Sequence, residues 1–163
     1  MAVLRLSLLL AGIWLLEFVF FPQVPFLSLL IDPLFLFLIF VGLRVPSTRF
    51  LWAQGFCIGM LKDLTTGAFF GGFAAAFGLI GWMIGAGRHL VEREDPVTQA
   101  IWTCALSVIR SVVYGLLLRL ADPALGSNRW WWAFLPLSAA ANGACAFWVF
   151  PHAAPYLSAN RRR

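Results

Sequence analysis

Between Gly55 and Gly87 the chain reads GFCIGMLKDLTTGAFFGGFAAAFGLIGWMIGAG. Two apolar segments are joined there by a short polar break carrying Lys62, Asp63, Thr65 and Thr66. Charge between two such segments is costly in lipid, so the break needs a structural or functional reason. Small residues recur at four-residue spacing on either side, Gly55 and Gly59 before the break and Gly67, Gly71 and Ala75 after it. This spacing lets helix backbones approach closely in a membrane. The stretch therefore predicts two close-packed helices with a charged boundary between them.

The rest of the chain gives this pair its setting. Of 163 residues, 61% are apolar and only 12% are charged, against about 25% charged in a soluble domain. So little charge cannot cover so much apolar surface in water, which predicts an integral membrane protein. The expected fold is all-α: a single polytopic domain over residues 1–163, a compact bundle of about six transmembrane helices. Expected spans are 2–21, 26–43, 50–61, 68–86, 97–120 and 130–150. The first apolar run is longer than the ~7–15 residues of a signal-peptide core and lacks a small-x-small site, so it is read as a retained helix. Pro22 and Pro25 close it. Asp32 suits an N-cap and Pro33 the first turn of the next helix. From Pro33 to Leu43 is too short to span, so the second segment is expected to have an extended or interfacial lead-in. Pro151 is expected to end the sixth segment, which opens on Trp130, Trp131 and Trp132, an aromatic interface belt.

Basic residues orient the bundle. With both termini inside, the inner set is Arg5, Arg44, Arg49, Arg88, Arg93 and Arg161–Arg163, eight in all, and the outer set is Lys62, Arg119 and Arg129, three in all. That asymmetry predicts cytoplasmic N- and C-termini. It also puts the Lys62–Thr66 break on the outer face. The net charge of +5 includes Arg161–Arg163, read as an anchor to anionic lipid and not as a nucleic-acid patch. Cys57, Cys104 and Cys145 lie singly in apolar segments. They signal neither metal nor disulfide and are expected as small core residues.

Four ionisable residues fall within or at the edge of the spans: Glu17, Asp32, Asp63 and Arg110. Arg110 lies ~15 Å from the outer end of its segment at helical rise, too deep to reach water easily. An intramembrane ion pair is expected, with Glu17 or Asp63 as the partner. Pairing with Asp63 would make that residue a clasp between the third and fifth segments. Thr65 and Thr66 are expected to cap the helix starting near Gly67. Gly71, Ala74, Ala75, Gly78, Gly81 and Gly85 follow three- and four-residue steps along one helix side. That face suits either packing within the bundle or a partner's membrane helix. His89 and His152 lie outside the spans, and there is no H-E-x-x-H, no G-x-S-x-G and no Gly-rich phosphate loop. No catalytic residue, metal site or cofactor is expected.

The run from Gly55 to Gly71 resembles the signature of MreD, the bacterial rod shape-determining membrane protein family, with its G-x-x-x-G-x-x-x-D segment, small-residue turn and G-x-x-x-G. On this sequence the matching positions are Gly55, Gly59, Asp63, Gly67 and Gly71. Asp32-Pro33 before Leu34–Leu38 is similar to the family's proline-led second segment, and Arg44-Val45-Pro46 to its basic loop. Asn142-Gly143 is similar to its last helix. Lys62 departs from the family, which has an uncharged residue there, and Arg110 has no family role. The resemblance implies a non-enzymatic scaffold of the cell-elongation machinery. It would bind an MreC-like bitopic membrane protein and help couple MreB filaments to RodA and an elongation penicillin-binding protein. The family is also similar in fold to substrate-binding subunits of energy-coupling-factor transporters, so the alternative is the binding subunit of a vitamin importer. In that case Asp63, Thr65, Thr66, Asn142 and the Trp130–Trp132 cluster would line an outward pocket.

Overall fold

The computed structural model describes residues 2–20, 23–24, 30–44, 48–66, 70–89, 91, 95–122 and 129–158. They form six helices: α1 (Ala2–Val19), α2 (Pro33–Gly42), α3 (Thr48–Thr66), α4 (Gly72–Gly87), α5 (Pro96–Ala121) and α6 (Arg129–Ser158). The protein is all-α among these residues. Two helices, over 96–121 and 132–153, are long and apolar enough to cross a membrane. Shorter apolar helices of 10–17 residues lie at Ser7–Val19, Pro33–Gly42 and Gly72–Gly87. Gly67, Arg93 and Arg161–Arg163 lie outside the described residues, as do the side chains of Trp130 and Trp131.

Helix α2, with the sequence PLFLFLIFVG, is apolar on every side, which suits a helix surrounded by protein. Leu34, Phe35, Leu38 and Ile39 are completely buried. It touches α1, α3, α4 and α6. Its start follows the sequence expectation: Asp32 is the N-cap and its Oδ1 accepts from the Phe35 N–H at 3.1 Å, with Pro33 in the first turn. At the other end Arg44 donates from Nη1 to the Phe40 carbonyl at 3.0 Å and lies over the Phe40 ring. Aromatic contacts tie α2 outward, Phe35 to Phe77 of α4 and Phe40 to Phe150 of α6.

The other helices pair off, α3 with α4 and α5 with α6. Glycines set the closeness of the first pair. A Cβ on Gly59 would lie 2.6 Å from the Ala74 Cα, and one on Gly55 or Gly81 would strike the carbonyl of Phe77 or Leu51. Gly78 faces Trp52 and Phe56 of α3, and Gly85 is buried. The small-residue stripe therefore splits: Ala74, Gly78, Gly81 and Gly85 turn inward, while Ala75 is exposed. In the second pair Gly143 of α6 lies against Cys104 of α5. Cys104 donates to the Ala139 carbonyl at 3.3 Å. Cys57, expected in the core, is exposed on the outer side of α3.

Three boundaries differ from those read off the sequence. The third segment does not stop at Leu61; α3 continues through Lys62 and Asp63 to Thr66. Both charged side chains find buried partners, so the backbone has no need to leave the helix at that point. The fourth segment begins at Gly72 instead of 68, preceded by Gly71 with φ 96°, a left-handed conformation that glycine adopts without steric cost. Pro151 does not end the sixth segment: α6 runs on to Ser158. Pro151 removes one backbone donor, the one that would bond the Phe147 carbonyl four residues back, and the helix continues past that single gap; on the next residue His152 Nδ1 lies 2.7 Å from the Trp148 carbonyl.

Helix α5 starts at Asp95, which bonds the N–H groups of Val97 and Thr98 at 3.1 and 2.9 Å and also the Thr98 hydroxyl. The Thr98 hydroxyl, then these N–H donors, hold the Asp95 carboxyl below the usual carboxylate range.

Candidate functional site

A charge cluster lies where five of the helices meet. Asp32, just ahead of α2, is its hub. While Oδ1 caps α2, Oδ2 takes two cations, the Lys62 ammonium of α3 at 2.7 Å and the Arg110 guanidinium of α5. Lys62 also reaches Glu17 of α1, 2.6 Å away, and the second oxygen of Glu17 accepts from the Leu34 N–H at 3.4 Å. The Asp32 backbone N–H donates to Asn142 Oδ1 of α6 at 3.0 Å. Asp32 and Asn142 are 4% and 0% exposed, and Lys62 and Arg110 are 8% each, so the cluster is shut off from solvent. Aromatic faces line the cations: Arg110 lies 4.7 Å from the centre of the Phe35 ring and Lys62 5.2 Å from that of Phe73.

Two carboxylates against two cations leave the cluster formally neutral. Buried ions are tolerated when paired and when their remaining hydrogen-bonding capacity is used. Asn142 extends the satisfaction. Its Nδ2 donates to the Ser138 carbonyl at 2.9 Å, and lies 3.2 and 3.3 Å from Ser107 Oγ and the Leu30 carbonyl. Ser138 Oγ donates to the same Leu30 carbonyl at 3.1 Å. The effect is to join the start of α2 to α5 and α6. On α5 the buried polar residues Gln99, Thr103, Ser107, Arg110, Ser111 and Tyr114 recur at three- and four-residue steps. This polar stripe is visible in the sequence and is the signal that could have located the cluster.

Asp63 stands apart from the ion pairs. Its oxygens accept from the backbone N–H groups of Gly71, Phe73 and Ala74, each at 3.0 Å. It thereby satisfies donors that the first turn of α4 leaves unpaired, and it meets the positive end of that helix. Thr65 and Thr66 do not cap the following helix. Their hydroxyls donate back to the Lys62 carbonyl at 2.8 and 3.0 Å and so finish α3. Asp63→Ala is expected to lower stability by about 0.5–2 kcal/mol, the range for loss of a helix cap. Urea titration of the purified protein should show the loss, and hydrogen exchange should place it in the first turn of α4.

The expected pairing of Arg110 with Glu17 or Asp63 is corrected: Arg110 pairs with Asp32, and Glu17 pairs with Lys62. Asp63 is not a clasp between α3 and α5, because its oxygens face the α4 backbone. Lys62, read as an outer-face charge, is a buried link in the cluster. Among the described residues there is no group of three or more His, Cys, Asp or Glu that could hold a metal ion.

The described residues form six helices with a neutral, buried ion cluster where five of them meet. In comparisons with known proteins the chain matches no family model, no curated protein and no solved structure.

Proposed function

We propose that the chain is a multi-pass inner-membrane protein and a non-enzymatic scaffold of the MreD type. In this reading both termini are cytoplasmic. It binds an MreC-like bitopic protein and helps couple MreB filaments to RodA and its penicillin-binding partner during cell elongation. One observation carries the membrane part of the reading, the inversion of the usual surface. Leu8, Phe20, Phe50, Trp52, Phe70, Trp82, Ile101, Leu120 and Trp148 are more than half exposed, whereas Asp32, Lys62, Asp63 and Arg110 are buried. A water-soluble protein places these two classes the other way round.

The scaffold is favoured over the vitamin-binding alternative by what the polar groups are already doing. Asp63 and Asn142, the strongest candidates for lining a ligand pocket, are saturated by contacts within the chain. The non-enzymatic role and the named partners rest on the resemblance of the Gly55–Gly71 run.

Two measurements test this. The protein should stay with the membrane pellet after alkaline carbonate extraction, and release into the supernatant would refute the membrane reading. Purified from native membranes in mild detergent, it should bring down an MreC-like bitopic protein. Recovery with an ATPase module and a bound vitamin would overturn the scaffold reading.

A further inference from the structure

Helix α1 is joined to the bundle differently from the other five. The fully buried apolar cluster draws on α2 to α6 and on Val91, but on no described side chain of α1; Leu10, Ile13 and Trp14 only lean against it. Its principal neighbour is the short helix α2. Its outer side is bare, with Leu8, Leu9, Leu15, Leu16, Phe18 and Val19 all 45% exposed or more. Even the seat is imperfect, because the Trp14 indole N–H is buried without a hydrogen-bond partner, a costly arrangement. Against this loose packing stands one strong contact, the Glu17 carboxylate on Lys62 with its second oxygen on the Leu34 N–H.

Without Glu17 the cluster keeps its other two ion pairs, with one carboxylate against two cations. If α1 moves away, Asp32 still holds both Lys62 and Arg110 and still caps α2. The reverse is not true, since removing Asp32 takes from Arg110 the carboxylate it is paired with. Glu17 is thus one end of the chain of ion pairs Glu17–Lys62–Asp32–Arg110, whereas Asp32 joins two cations within it.

We infer that α1 is a releasable helix, latched by Glu17 on Lys62, whose departure opens the charge cluster while the other five helices stay assembled. Docked, α1 leaves the Lys62 side chain 10% exposed. Undocked, it bares the ammonium and the first turn of α2. The position of α1 therefore gates access to the most polar point in the bundle. This inference holds whatever partners the protein has.

The test uses spin labels on the full chain in lipid nanodiscs, with Cys57, Cys104 and Cys145 replaced by alanine. One pair of labels, at Leu8 and Ile101, reports α1 against α5; a second, at Leu64 and Ile101, reports α3 against α5. All three sites are exposed. In Glu17→Gln the first distance distribution should lose most of its docked peak and broaden, while the second keeps its shape. If neither distribution changes, Glu17 is no latch. If both broaden, or the variant fails to fold, Glu17 supports the whole bundle and the inference is wrong.

Discussion

Asp32→Asn should be among the most damaging single substitutions in the chain, with a loss of about 3–5 kcal/mol, the range for breaking a buried ion pair. The amide keeps an oxygen for the Phe35 N–H, so the cap on α2 survives in part. What disappears is the negative charge between Lys62 and Arg110. Lys62 retains Glu17, but Arg110 is left buried with no charge to balance it. Adding Arg110→Met should then restore at least part of the loss, because an apolar side chain of similar length carries no desolvation penalty. Folded yield in detergent and the midpoint of thermal unfolding both measure this. A single Asp32→Asn variant as stable as the parent would rule out the hub.

Gly59→Val is expected to separate α3 from α4 at a cost of about 3 kcal/mol, at or above the upper end of the overpacking range. The obstruction is the backbone around Phe73 and Ala74, which cannot rotate aside as a side chain would. Gly12→Ala provides the contrast. Nothing lies within 4 Å of the added methyl there, and alanine is favoured over glycine inside a helix by roughly 0.5–1 kcal/mol. Gly12→Ala should therefore unfold at or above the parent's midpoint and Gly59→Val well below it. Equal midpoints for the two variants would show that α3 and α4 do not pack through Gly59.

Much of the helical layout was legible in the sequence, and the reasons are local. Asp32-Pro33 marks the start of α2 because capping and proline geometry act within one turn. The small residues around 55, 59 and 81 announced close packing because only small residues permit it. The partners of Arg110 were not legible. Counting residues along a helix gives depth but not the direction in which each neighbouring helix presents its carboxylate. The capping role that the sequence assigns to Asp32 does not exhaust it. A carboxylate has two oxygens, and a cap occupies only one. Asp63 was misjudged in the opposite sense: its charge suggested an ion pair, yet it meets the unpaired amides that begin α4. The polarity of Lys62-Asp63 interrupts two apolar runs and predicts a break between segments, but both residues find partners without leaving the helix.

The order of the cluster along the chain has a consequence for biogenesis. Glu17 precedes its partner Lys62 by 45 residues, and Asp32 precedes Arg110 by 78. Synthesis therefore delivers both carboxylates of the cluster before either of its cations. Lys62 arrives next and can draw Glu17 and Asp32 together around α3. Arg110 comes last and fixes that assembly to α5. Until Arg110 is made, the cluster holds two carboxylates and one cation, so its charge balance closes only with α5.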